Sequence, residues 1–162
     1  MGDEVPTDDQ IDDMARAVHE QYLLDNAGDP GHAAMVPWGE LDPLRRSQNH
    51  DQVLMTIQAL RDAGFGLARA GSVPTDAAMT SLADDVVESM ARDEHDRWCQ
   101  KKRAAGYRYG PTTKDKGDDL RHENLVAWAD LSPADREKDR RPIADFPRIL
   151  GIGGWVLTEP VD

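Results

Sequence analysis

Apolar residues recur three and four positions apart along most of this chain, the spacing of one helix face. Thr7-Asp8-Asp9-Gln10 reads as a capping box, and Ile11, Met14, Ala15, Val18 and Tyr22 follow on a helical stripe that Gly28 ends. Asp42-Pro43 opens a second helix, an N-cap followed by proline in the first turn. It runs to Gly64, with a break expected near Asn49. A third helix is expected from about Thr75. Its stripe is Met79, Leu82, Ala83, Val86, Val87 and Met90, and no breaker follows before Gly106. Ser132-Pro133 opens a fourth, which Pro142 and Pro147 divide or kink before Gly151. Strand signals are confined to Tyr107–Pro111 and to Val156-Leu157. The N-terminal six residues have no apolar period and are expected to fray. The expected fold class is mainly α.

The chain also repeats itself. W-G-E-L-D-P-L-R-R-S-Q-N, from Trp38 to Asn49, aligns without a gap on W-A-D-L-S-P-A-D-R-E-K-D, from Trp128 to Asp139. Trp38 matches Trp128, Leu41 matches Leu131, Pro43 matches Pro133 and Arg46 matches Arg136, all 90 positions apart. The same offset pairs His32 with His122, Leu60 with Leu150 and Leu67 with Leu157. Upstream it shrinks to 76, where His19-Glu20-Gln21-Tyr22 matches His95-Asp96-Arg97-Trp98. The second copy therefore carries a 14-residue insertion holding Gly106-Tyr107-Arg108-Tyr109-Gly110 and a polar loop, Thr112 to Arg121. The expectation is one domain over residues 1–162 built as a pseudo-twofold tandem repeat. Its half-repeats lie at about 8–68 and 75–158, with a hairpin or loop insertion in the second.

Composition narrows the function. Thirty-one acids against nineteen bases in 162 residues leave a net charge of −12. A dedicated nucleic-acid binder carries a basic surplus instead. The single cysteine, Cys99, excludes an internal disulfide and a multi-cysteine metal site. No apolar run is long enough to span a membrane, and the acidic start MGDEVPTDDQIDD lacks a signal-peptide pattern. These features lead to the expectation of a soluble, cytoplasmic protein with no membrane or nucleic-acid partner.

H-D-R-W, then G-Y-R-Y-G-P, then H-x-x-L-V-x-W-x-x-L resembles the ryanodine receptor repeat (RyR) domain family. Lys102 falls at that family's basic position, Tyr107 replaces its usual tryptophan, and Glu123 replaces the proline after His122. The first half matches more loosely, with Tyr22 where tryptophan is typical. The resemblance covers roughly residues 11 to 158. It implies a helical tandem repeat, similar to stand-alone bacterial and phage copies. It further implies a ligand-sensing module accepting an adenine nucleotide between the two H-x-x-aromatic motifs.

Several residues are candidates for that chemistry. Tyr22 and Trp98, at matching positions, could stack on a planar base; the alternative is that both face their own cores. Arg97, Lys101, Lys102, Arg103 and Arg108 fall within twelve residues free of acid. They read either as a phosphate site beside the aromatics or as cations stabilising a helix C-terminus. Tyr107 joins this group through the insertion. His19 and His95, one turn before the aromatics, could bind ligand or hold packing. Trp38, Trp128 and Trp155 read as core anchors, and His32 and His122, which precede the two tryptophan segments, read as structural. Arg46 and Arg136 read as structural, binding backbone carbonyls or acids between helices.

Enzyme motifs are weaker. The sequence has no H-E-x-x-H and no phosphate-binding glycine loop, and Gly151–Gly154 fits neither nucleotide fingerprint. Cys99 lies inside a helix next to Trp98, where Lys101–Arg103 could lower its pKa. The expectation is a non-enzymatic domain with no cofactor and no metal, binding a nucleotide-like small molecule in a cleft between the repeats. The alternatives are a protein-interaction module and, more remotely, a small nucleotide-acting hydrolase. A protein partner and self-association stay open.

Overall fold

In the computed structural model, described for residues 5–25 and 35–160, the chain forms five α-helices joined by short 3₁₀ turns and two small strand pairs. It is mainly helical. The expected stop at Gly28 and the role of His32 lie outside the described residues.

Three helix starts, those of α1, α2 and α4, follow from side-chain caps. Helix α1 (Asp8–Asp25) begins with the capping box: Gln10 N donates to Thr7 Oγ1 at 3.2 Å, and Thr7 N donates to Gln10 Oε1 at 2.9 Å. Asp42 caps α2 (Pro43–Asp62) by accepting from Arg45 N at 2.9 Å. Helix α2 has no break at Asn49, because Val53, Ile57 and Leu60 continue one buried face. Helix α3 (Asp84–Ala104) starts later than the stripe suggests. Thr75–Ala77 form a 3₁₀ turn, and Met79 is held by a β-bridge to Leu157, with Met79 N donating to Leu157 O at 2.7 Å. Ser132 Oγ accepts from Asp135 N at 3.1 Å at the head of α4 (Pro133–Ala144). The helical run then divides at Asp145 into α5 (Phe146–Ile152), whose first turn holds Pro147, whereas Pro142 stays inside α4.

The chain separates into two compact units, one holding the segments up to Ser81 and from Asp145 onward, the other Leu82–Ala144. In the first, α1 packs on both α2 and α5. Its core holds Ile11, Met14, Leu41, Val53, Leu60, Ile149, Leu150, Trp155 and Leu157, each at most 2% exposed. Strand β1 (Gly66–Arg69) pairs antiparallel with β4 (Trp155–Thr158), Leu67 opposite Leu157. Trp155 Nε1 donates to Gln10 Oε1 at 3.0 Å, tying this strand to the capping box. The sequence pattern gave no sign of β1.

In the second unit α3 packs on α4 around Val87, Ala91, Cys99, Leu125, Trp128, Leu131 and Ile143. Strands β2 (Arg108–Tyr109) and β3 (Arg121–His122) pair in parallel, so the insertion is not a simple hairpin. The polar loop between them is exposed from Lys114 to Asp118.

Candidate functional site

The register of α3 puts His95, Trp98 and Lys102 on successive turns, with the first facing inward. His95 is 4% exposed. Its Nε2 lies 2.7 Å from Val126 O, which pins the segment before Trp128 to the helix. Its Nδ1 lies 3.7 Å from Asp139 Oδ2. Burial pushes the Asp139 carboxyl above its usual range, against the opposing pull of His95. The imidazole stacks on Trp98, with centroids 5.7 Å apart and planes 22° apart. Trp98 itself is half-buried.

The end of α3 places Tyr107 beside this pair. Gly106 takes φ +96°, a left-handed conformation that suits glycine. Gly106 N donates to Arg103 O and Tyr107 N to Lys102 O, both at 3.0 Å, the two bonds of a Schellman motif. That geometry folds the Tyr107 ring back over Lys102, whose Nζ is 4.5 Å from its centroid and 5.9 Å from that of Trp98. Tyr107 OH donates to Asp115 Oδ1 at 3.0 Å, and this bond raises the phenol pKa. His122, read from sequence as structural, meets Trp98 in a T-shaped contact at 4.7 Å. Nothing in the linear sequence marks that contact, because it depends on how β3 returns toward α3.

The remaining cations do not all converge. At about 100° per residue, Arg103 lies roughly 140° around α3 from Trp98. Arg97 is paired with Glu94 at 3.2 Å. Arg108 and Arg121 share Asp119, at 2.7 and 3.1 Å, and both hold its carboxyl below the ordinary range. Lys101 is exposed one turn beyond Trp98. Lys102 is therefore the cation directly beside the ring.

Cys99 is 4% exposed, and its Sγ lies 3.4 Å from His95 Nε2. Burial raises its thiol pKa, outweighing the lowering by Arg103, so the expected activation by the basic run is not realised.

The first unit has a matching local arrangement. His19, 2% exposed, lies with Nε2 2.6 Å from Val36 O. It stacks near Tyr22 at 6.3 Å and 22°, and meets Trp38 at 6.0 Å and 52°. His95 meets Trp128 at 6.0 Å and 56°. Trp128 is buried and donates through Nε1 to Glu88 Oε1 at 2.9 Å, whereas Trp38 is only half-buried. Arg140 bonds the other oxygen of Glu88, and together these donors hold that carboxyl low. Arg46 and Arg136, at matching positions of the sequence repeat, each have a buried Nε without a hydrogen-bond acceptor.

Both nitrogen-to-carbonyl contacts make the histidines internal struts, while the aromatic one turn on keeps an accessible side. Among the described residues, no helix is long and apolar enough to cross a membrane.

A mainly helical module in which a buried histidine pins a tryptophan-bearing turn is the class these features define. The chain belongs to the RyR domain family, whose model matches residues 73–159, more than half of its length. No curated protein matches it.

Proposed function

We propose that this RyR domain is a non-enzymatic binding module for an adenine-type nucleotide or nucleotide-derived signal, with Trp98 as the stacking surface. The observation that carries the reading is the half-buried Trp98 ring, braced by His95 and bordered by Lys102 and Tyr107. A base stacked on such a ring gains about 1–3 kcal/mol. Lys102 supplies a cation for an attached phosphate, and the exposed Lys101 stands one turn beyond Trp98. The absence of catalysis is part of the proposal. It is supported by His19 and His95 being committed to carbonyls and by Cys99 being buried with a raised pKa. The likeness of the two local arrangements supports reading the halves as copies of one unit, with Tyr22 the counterpart of Trp98.

The test is a thermal-shift titration of the purified chain with adenine, guanine and cyclic dinucleotides. An adenine compound should raise the melting midpoint of the wild type and leave Trp98→Ala unmoved, with Tyr22→Ala reporting on the first half. If no nucleotide raises the midpoint, the proposal fails. A protein-interaction role is the second reading. It is favoured by a groove of about 400 Å³ lined mainly by apolar residues such as Val5, Leu54, Met55 and Ile57, with Gln58 and Arg61 as its polar part.

A further inference from the structure

Among the described residues, His122 touches Trp98 with half of its hydrogen-bonding capacity unspent. Asn124 N donates to His122 Nδ1 at 3.1 Å, so Nδ1 carries a lone pair and the neutral ring carries its proton on Nε2. No acceptor for that Nε2–H is present among the described residues. The half-buried ring stands at 82° to the Trp98 plane, with centroids 4.7 Å apart. Lys102 is close enough for its charge to bear on the imidazole, as are Asp115 and Glu123 from the loop and the strand end. Burial and Lys102 both hold the ring in its neutral form, the form with a single Nε2–H donor.

Two donors without protein acceptors therefore border the same aromatic: His122 Nε2–H and the Lys102 ammonium. The ammonium rests on the Tyr107 and Trp98 rings rather than on a carboxylate. Two such donors around one ring form a site for a compact anionic group attached to a planar one. We propose that His122 is a ligand-binding residue, donating through Nε2 to an oxygen of an anionic group that Lys102 holds at the same time.

This rests on the nucleotide reading above, and the experiment separates the two. Dissociation constants for adenosine and adenosine monophosphate are measured by calorimetry on the wild type, His122→Phe, His122→Gln and Lys102→Gln. The monophosphate should bind the wild type about tenfold more tightly than the nucleoside, the scale of a charge-assisted pair of bonds. His122→Phe keeps a flat ring and loses the donor, so that preference should shrink toward one. His122→Gln keeps a neutral donor and should retain most of it, which also guards against a folding defect in the phenylalanine variant. Lys102→Gln should reduce the preference as well. A monophosphate preference unchanged in His122→Phe, or absent in the wild type while adenosine still binds, overturns the role of His122 and leaves the stacking site standing. Failure of both compounds to bind the wild type overturns the nucleotide reading itself.

Discussion

His95 and Trp98 stack one turn apart on α3, and only the histidine of the pair is fully buried. The imidazole is fixed by Val126 O, so the indole is braced on its His95 side and stays half-buried. Trp155 is the opposite case, 0% exposed and bonded through Nε1 to Gln10. Trp155→Ala should therefore cost about 3–5 kcal/mol, the usual cost of emptying a buried aromatic site. Trp98→Ala should cost clearly less. Urea melts of the two variants check this; equal losses would make Trp98 a core residue and remove the basis for stacking.

Asp139 gives a prediction with a pH signature. Its folded-state pKa is raised above 3.8, chiefly by burial. A raised carboxyl favours the fold while protonated, and that contribution is lost as pH rises through the folded-state value. Asp139→Asn removes the cost of ionising there, so this variant should melt above the wild type at neutral pH. The gap should close as pH falls below 3.8. Asparagine already stands at the matching place, Asn49. Melting curves at a series of pH values decide it; a gap that does not change with pH counts against the assignment.

The Asp12–His50 contact, 3.6 Å between Oδ1 and Nε2, occupies the place in the first unit that Glu88–Arg140 occupies in the second. The second pair is charged at every ordinary pH, the first only when the histidine is protonated. His50→Arg should make the first pair permanent and add about 0.2–1 kcal/mol near pH 8, within the range for exposed pairs. The gain should shrink in high salt. A stability difference that ignores salt would show that the arginine acts through packing.

The His122 ring supplies the converse pH case. Its folded-state pKa lies below 6.5, through burial first and Lys102 second. A depressed histidine stabilises the fold above its unfolded pKa, and this is lost as pH falls through the folded value. The wild type should therefore lose stability on acidification below about pH 6.5 more steeply than His122→Gln. Parallel slopes for the two proteins would show that other groups set the acid limb.

What could be read from sequence was mostly local. The capping box at Thr7, the caps at Asp42 and Ser132 and the division between Pro142 and Pro147 each depend on residues within one turn. Both histidine–carbonyl contacts fall at positions that the 76- and 90-residue sequence offsets pair. What escaped was non-local. Gly66–Arg69 becomes a strand only because Trp155–Thr158 returns to it, and four residues carry too little pattern to announce that. Met79 and Leu82 sit on a helical period but lie outside α3, Met79 half-buried at a β-bridge and Leu82 buried, since period alone does not say which surface takes up a residue. The same limit applied at the site. Tyr107 and Lys102 are joined by a helix cap and could be paired from sequence, whereas His122 reaches Trp98 through the path of β3.

The first unit is made from both sides of the second, which has a consequence for synthesis. Strand β1 leaves the ribosome about 90 residues before β4, a wait of roughly 5–20 s at about 5–20 residues per second. Through that interval Leu60, Phe65 and Leu67 lack the Ile149, Leu150, Trp155 and Leu157 that complete their core, and β1 presents an unpaired edge. Leu82–Ala144, being continuous, has every residue it needs sooner. The half of the chain translated first is thus the half completed last, and during translation it is the part most in need of protection from other nascent chains.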